Sequence, residues 1–439
     1  MSQIRNTGSV LHIVLAVSLL LSAAGCGVIP TETPAGDFQK AVSQAERLPA
    51  ESLTEFDVDQ LTAGNTAFAL DLYHQIKGDD DNLFYSPFSI SLALAMTYAG
   101  ARGETAEEMQ TVLHFPEPED RVHTGFNNLD QHLEGLADQE LPEDAGEAFQ
   151  LNIANQLWGQ VDYPFQEGFL DTQARCYGAG LKLLNFIERP EESRQIINQW
   201  VSEQTEGKIQ DLIPRGGMGA MTRLVLTNAI YFNASWLEPF AEDRTEPGDF
   251  TTLSGSAVQV PMMSHDQAQS FRYGKGENFQ AVEIPYTGNS TSMLVLLPDD
   301  GAFREVEGAL TPEVLDSVLE TLEYTSVALT LPKFEFEKEF SLANTLADMG
   351  MPSAFDAEAD FSGITGGKDL FISDVFHKAF VAVDEEGTEA AAATAVVMAE
   401  TALPAEPVQM RVDRPFLFLI REHQTGTIIF LGRVLNPAE

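Results

Sequence analysis

Apolar residues recur at helical spacing through the first half of this chain and give way to β-branched and aromatic runs in the second. Residues 61–77, Ser89–Ala101 (after a break at Pro87) and 193–206 carry the period of amphipathic helices. Leu224–Phe232, Ser292–Pro298, Val327–Phe336 and Phe416–Ile420 read as strands bounded by turn residues. Helices followed by strands predict an α+β fold built on a large, mostly antiparallel sheet. The 439 residues suffice for two or three ordinary domains or for one large one. There is no internal repeat. With 44% hydrophobic residues the chain can fill a core and is globular.

Charge narrows the partners. There are 67 acidic against 25 basic residues, a net charge of −42. Such a surface repels phosphate backbones, which argues against nucleic acid and against a heparin-like cofactor. It reads as a solvated acidic surface that keeps the protein soluble. The acidic patches at 116–120 and 138–147 read as surface loops. The two cysteines, Cys26 and Cys176, sit in different contexts, so no disulfide is expected, and neither lies in a cluster of metal ligands. No metal or cofactor is expected.

The first residues read as a targeting segment. Arg5 precedes a short apolar run, Ile13–Leu21, too short to span a bilayer but suited to the core of a signal peptide. The run ends in Ser22-Ala-Ala-Gly-Cys26, which resembles a bacterial lipoprotein signal whose cysteine is lipidated. Residues 1–25 are thus expected to be removed. Residues 26–55, rich in Pro, Thr, Ala and Glu, read as a flexible tether between membrane and body. The expected location is the cell envelope or the outside of the cell.

Catalytic motifs are missing: there is no G-x-S-x-G elbow and no H-E-x-x-H helix. Gly363–Lys368 has the wrong spacing for a phosphate loop and reads as a turn. Cys176 lies in a helical context without a nearby histidine and reads as a structural thiol. No catalytic residue is assigned, and the chain is not expected to be an enzyme.

Several separated blocks, in order, carry a family resemblance. They are Asn82-Leu-Phe-Tyr-Ser-Pro-Phe-Ser-Ile90, Thr205-Glu-Gly-Lys-Ile209, Leu226–Trp236, His377-Lys-Ala-Phe380, Asp384–Ala392, Phe416–Arg421 and Gly426–Arg433. Together they resemble the serpins, over about Leu61 to Pro437. The resemblance implies one large domain (56–439) with helices on a main sheet, smaller sheets, and an exposed reactive loop at about 385–410. It implies a monomer that traps serine proteases. The protease cleaves the loop and is held as an acyl-enzyme, while the loop enters the main sheet as a new strand and releases the energy of a metastable fold.

Insertion sets demands that the loop's residues meet. A strand alternates its faces. If Thr388 points into the core, so do Ala390, Ala392, Thr394, Val396 and Met398, all small, β-branched or apolar. Glu389, Ala391, Ala393, Ala395 and Val397 take the other face. No proline or charge interrupts 390–399, and an unpaired buried charge there would cost several kcal/mol. Taken alone, the run of alanines also fits a helix. The hinge comprises Glu385, Gly387, Thr388, Glu389, Ala390, Ala391 and Ala392, with Gly387 supplying backbone freedom for a pivot.

By resemblance, the hinge-to-bait length of seventeen residues runs from Glu385 to Thr401 and places the scissile bond at Thr401–Ala402. Glu400 and Met398 stand as alternatives. A small bait residue suits elastase-like or subtilisin-like proteases, and the absence of Lys and Arg between 387 and 410 disfavours a trypsin-like target. The resemblance also implies that Ser86, Ser89, Asn228 and His377 cluster where the sheet opens, with Trp236 near the point of insertion. Two further readings stand beside inhibition: a non-inhibitory serpin acting as a binding or chaperone module, and a solute-binding lipoprotein.

Overall fold

The structure, a computed structural model, describes residues 38–50, 56–78, 80–138, 150–388 and 406–439. Among the described residues six α-helices fall in the first half: α1 (Phe56–Ile76), α2 (Pro87–Tyr98), α3 (Gly103–Val112), α4 (Glu119–Gly135), α5 (Glu167–Tyr177) and α6 (Pro190–Gln204). The expected break at Pro87 is a helix start. Its fixed φ suits the first helical position, where an amide proton would have no partner, and Ser86 caps the helix by accepting the Ser89 N–H. Every residue of α2 is buried, so it is apolar all round instead of along one stripe. The patch at 116–120 is a loop only in part, because α4 begins at Glu119.

Seven strands form the main sheet: β1 (Gln39–Ala41), β2 (Gln150–Gln160), β3 (Leu181–Leu184), β4 (Leu224–Ser235), β5 (Phe334–Ser341), β6 (Ile372–Val383) and β7 (Gly387–Thr388). Their spatial order is β1-β3-β2-β4-β7-β6-β5. Pairs are antiparallel except β2–β3 and β4–β6, so the sheet is mixed. All residues of β4 are buried, as befits a strand covered on both faces. On one face α6 lays Ile197 and Val201 against Trp158, Val225 and Phe376. The other face rests on the larger core, which includes α1, α2 and the second sheet. The outer strand β5 (FEFEKEFS) exposes Glu335, Glu337 and Glu339, charges that discourage a second chain from pairing with this edge.

The second sheet has ten strands among the described residues. It contains Leu83–Tyr85, Thr291–Pro298, Phe416–Glu422 and Ile428–Val434 at one end and Glu323–Pro332 nearer the other. The run Val327–Phe336, read as one strand, is therefore two. Pro332 lacks an N–H with which to continue a ladder, and beyond it the chain crosses at Lys333 into the main sheet.

The stretch 26–55, expected to be a flexible tether, is corrected over residues 38–50, which are packed on the body. β1 pairs antiparallel with β3, and Phe38 meets Trp158 edge-to-face with centroids 5.7 Å apart. Ser43 donates to Asp171, Arg47 pairs with Asp130 and Glu134, and the Leu48 N–H donates to the Arg175 carbonyl at 2.8 Å. An aromatic contact, a short edge ladder and these polar contacts together dock the segment. Cys26, the targeting run and most of the 138–147 patch lie outside the described residues.

Candidate functional site

The site is the junction of β4, β6 and β7. β6 rises to Val383 and the chain reverses over Asp384–Glu386. The Asp384 carboxylate drives the reversal by accepting the N–H groups of Glu386 (3.0 Å) and Gly387 (3.2 Å). β7 then descends between its neighbours, with Thr388 opposite both Val383 and Ala234. Further down, β4 and β6 pair directly, from Ile372 and Leu224 to Ala379 and Ile230. The sheet is thus parted at one end, and two residues of the loop's proximal limb occupy the parting.

Thr388 is 1% exposed, and its hydroxyl lies 2.8 Å from the buried Tyr286 hydroxyl. It points into the core, as the alternation argument requires. Gly387 does not have a positive φ. A Cβ there would stand 2.2 Å from the Ala234 carbonyl oxygen, so glycine allows close strand approach at this point. Glu385 is clamped: its carboxylate accepts from Lys333 Nζ at 2.5 Å and from Thr245 at 2.6 Å. Burial opposes its ionisation, and these hydrogen bonds outweigh burial and hold the carboxyl below the usual range.

Trp236 belongs to this end of β4. Its backbone N–H donates to the Glu386 carbonyl at 2.8 Å and its indole N–H to the Asp384 carbonyl at 3.0 Å. Its ring stacks on Tyr286 at 4.6 Å. It is set apart from the other expected residues: Asn228 lies eight positions down the strand, roughly 26 Å away at ~3.3 Å per residue.

Those four do come together. His377 and Asn228 are opposite each other on β6 and β4. His377 Nδ1 is hydrogen-bonded to the Asn228 side-chain oxygen, while its Nε2 accepts the Ser86 N–H at 3.2 Å. Asn228 Nδ2 donates to Ser89 Oγ at 2.6 Å, and Ser86 Oγ donates to the Ile429 carbonyl at 2.7 Å. Complete burial pushes the His377 pKa down to about 3, partly offset by its bond to Asn228, so the imidazole is neutral. The network ties β4, β6, the start of α2 and the second sheet together at the directly paired β4–β6 seam, below the parted end.

Asn155 on β2, missed in the sequence, completes the network. Its amide accepts from Ser89 Oγ at 3.1 Å and from Asn228, and donates to the Ser89 carbonyl at 3.0 Å. Its signal was a polar residue on the core-facing side of an alternating strand, which in isolation reads as ordinary. Tyr286 and Lys333 were also missed, because their partners are over fifty residues away. Cys176 is buried, and burial raises its thiol pKa. Gly363–Lys368 overlaps a short helical turn, Ser362–Thr365, closed by Gly366 in the left-handed region. Glu389–Ala392, Met398, Glu400, Thr401 and Ala402 lie outside the described residues.

Comparison with known proteins gives a consistent result. A family model described as Serpin (serine protease inhibitor) matches residues 63–437. The chain is 43% identical to an uncharacterized serpin-like protein of Thermococcus kodakarensis, over 85% of each chain. It is 40% identical to the leukocyte elastase inhibitor of Bos taurus, covering 87% of this chain and 100% of that one. Among solved structures, tengpin, a thermophilic serpin in its native state, superposes with a TM-score of 0.78 at 28% identity, covering 91% of this chain and 100% of the other.

Proposed function

This chain belongs to the serpin family, and from that premise we propose that it inhibits serine proteases as a suicide substrate. The observation that carries the proposal is the seating of Gly387 and Thr388 between β4 and β6, with Thr388 buried against Tyr286. Insertion has a starting point and a register. Continuing that register puts Ala390, Ala392, Thr394, Val396 and Met398 on the core side, where none brings a charge.

In this reading the protease serine attacks the carbonyl of the bait residue and the following amine leaves, freeing the loop's proximal limb at its end. The limb descends from Thr388 as a full strand. Direct β4–β6 pairing is replaced by two antiparallel ladders, and the His377–Asn228 contact must separate to let the strand pass. The acyl-linked protease is carried with it. The scissile bond is Thr401–Ala402, with Glu400 and Met398 as alternatives, and the targets are elastase-like or subtilisin-like. The protein acts as a monomer, exported and lipid-anchored through Cys26 or secreted.

The test is incubation of the purified protein with pancreatic-type elastase and with subtilisin, followed by denaturing gels and intact mass. An SDS-stable complex with release of a peptide beginning at Ala402 is expected. Cleavage without complex, by these and by chymotrypsin-like and glutamate-specific proteases, would favour a non-inhibitory binding role.

A further inference from the structure

Lys40 and Lys182 face each other across the antiparallel β1–β3 pair. Like charges directly opposite weaken a sheet. Among the described residues neither lysine has a carboxylate partner, although the chain carries 67 acidic residues against 25 basic ones. Alternation along β1, β2 and β3 puts Lys40, Val42, Gln156, Gly180 and Lys182 on one face. There they line a cavity of about 440 Å³. Its charged lining residues are Lys40, Lys182 and Arg47, the last already paired with Asp130 and Glu134, and among the described residues lining it none is Asp or Glu.

Three rings fix the Lys182 ammonium: its nitrogen lies 3.6 Å from the Trp200 centroid, 5.2 Å from Phe38 and 5.3 Å from Trp158. Burial, with Lys40 adding to it, lowers the Lys182 pKa to about 7. A negative group between the two lysines would reverse both penalties. We propose that this cavity is an anion site, in which Lys40 and Lys182 hold the phosphate, sulfate or carboxylate group of a small ligand and so pin the N-terminal strand to the sheet edge. The apolar part of the lining (Val42, Ala45, Leu181) accommodates a short hydrocarbon chain. The site is separate from the junction of β4, β6 and β7 and does not depend on protease inhibition.

Trp158 and Trp200, whose rings lie against the Lys182 ammonium, report on the site through that lysine. The full chain is titrated with sodium sulfate and with octanoate, at constant ionic strength against sodium chloride, following tryptophan fluorescence. Sulfate is expected to give a saturable change. Its Kd rises at least tenfold in Lys40→Met and in Lys182→Met and stays unchanged in Lys275→Met, a distant exposed lysine on strand Gln269–Gly276. A saturable octanoate response with the same variant dependence identifies an amphipathic carboxylate as the ligand class, and a sulfate response alone identifies an inorganic or phosphate-type headgroup. The groups facing Lys182 are Lys40 and Phe38 beside it, Trp158 from β2 and Trp200 from α6, so sulfate binding weakens several-fold from pH 6.5 to 8.5 as Lys182 loses its proton. If Lys182→Met does not fold, the exposed Lys40→Met decides alone. A response that chloride reproduces at equal ionic strength, or Kd values unchanged in the lysine variants, overturns the site.

Discussion

The hydroxyl groups of Thr388 and Tyr286 lie 2.8 Å apart with both side chains buried. The last described residue before position 406 is thereby already part of the core, held between β4 and β6.

Thr388→Arg places an unpaired charge in this contact, at a cost of several kcal/mol. The expected result is that elastase or subtilisin still cleaves the loop while the yield of covalent complex falls at least tenfold. Thr388→Val, which keeps the shape and loses one hydrogen bond worth about 1 kcal/mol, should still form complex. Quantitative gel densitometry separates the two, and full complex with the arginine variant would refute the insertion register.

Gly387→Val brings a Cβ to within 2.2 Å of the Ala234 carbonyl, so β7 has to leave its seat. Trp236, bonded to the Glu386 carbonyl, is expected to become more exposed, with red-shifted emission. Stability falls by about 1–3 kcal/mol, as for other overpacked sites. Unchanged emission and thermal midpoint would show that the strand does not depend on this close approach.

His377 should contribute a pH dependence of stability. Its pKa is about 3 folded, against 6.5 when solvated. Between these values the unfolded chain binds the extra proton, so stability falls as pH falls from 6.5 towards 3, by an amount on the order of 5 kcal/mol in total. Thermal unfolding from pH 7.5 to 4.5 is expected to fall more steeply for the unaltered protein than for His377→Gln. Parallel curves would mean that other groups carry the acid sensitivity.

Asn155→Ala leaves Ser89 and Asn228 without a partner they share. Buried polar groups left unpaired cost about 1–3 kcal/mol. The thermal midpoint should drop by several degrees, and Ser89→Ala in the same background should cost less than it does alone, because the two act through one network. Additive losses would place Asn155 outside it.

How far the sequence could be read differs between elements for physical reasons. The apolar run of β4 reads as a strand wherever it is placed. The blocks around Ser86, Asn228, His377 and Asp384 resembled one family closely enough to imply its fold. Phe38, the lone aromatic within 26–55, was the one sign that part of the supposed tether had somewhere to dock. Its receiving surface, Trp158 and Lys182, lies more than a hundred residues on and has no local signature.

Period, composition and charge by themselves determined the helical and strand segments, the acidic surface and a loop limb that contains nothing a core would reject, because these depend only on neighbours along the chain. Tertiary structure alone decided that residues 327–336 divide between two sheets, that the backbone of Ala234 closes in on Gly387, and that Asn155 joins Ser89 and Asn228. Each of these turns on which distant backbone or side chain occupies the adjoining few ångströms, and that is set only when the strands come together.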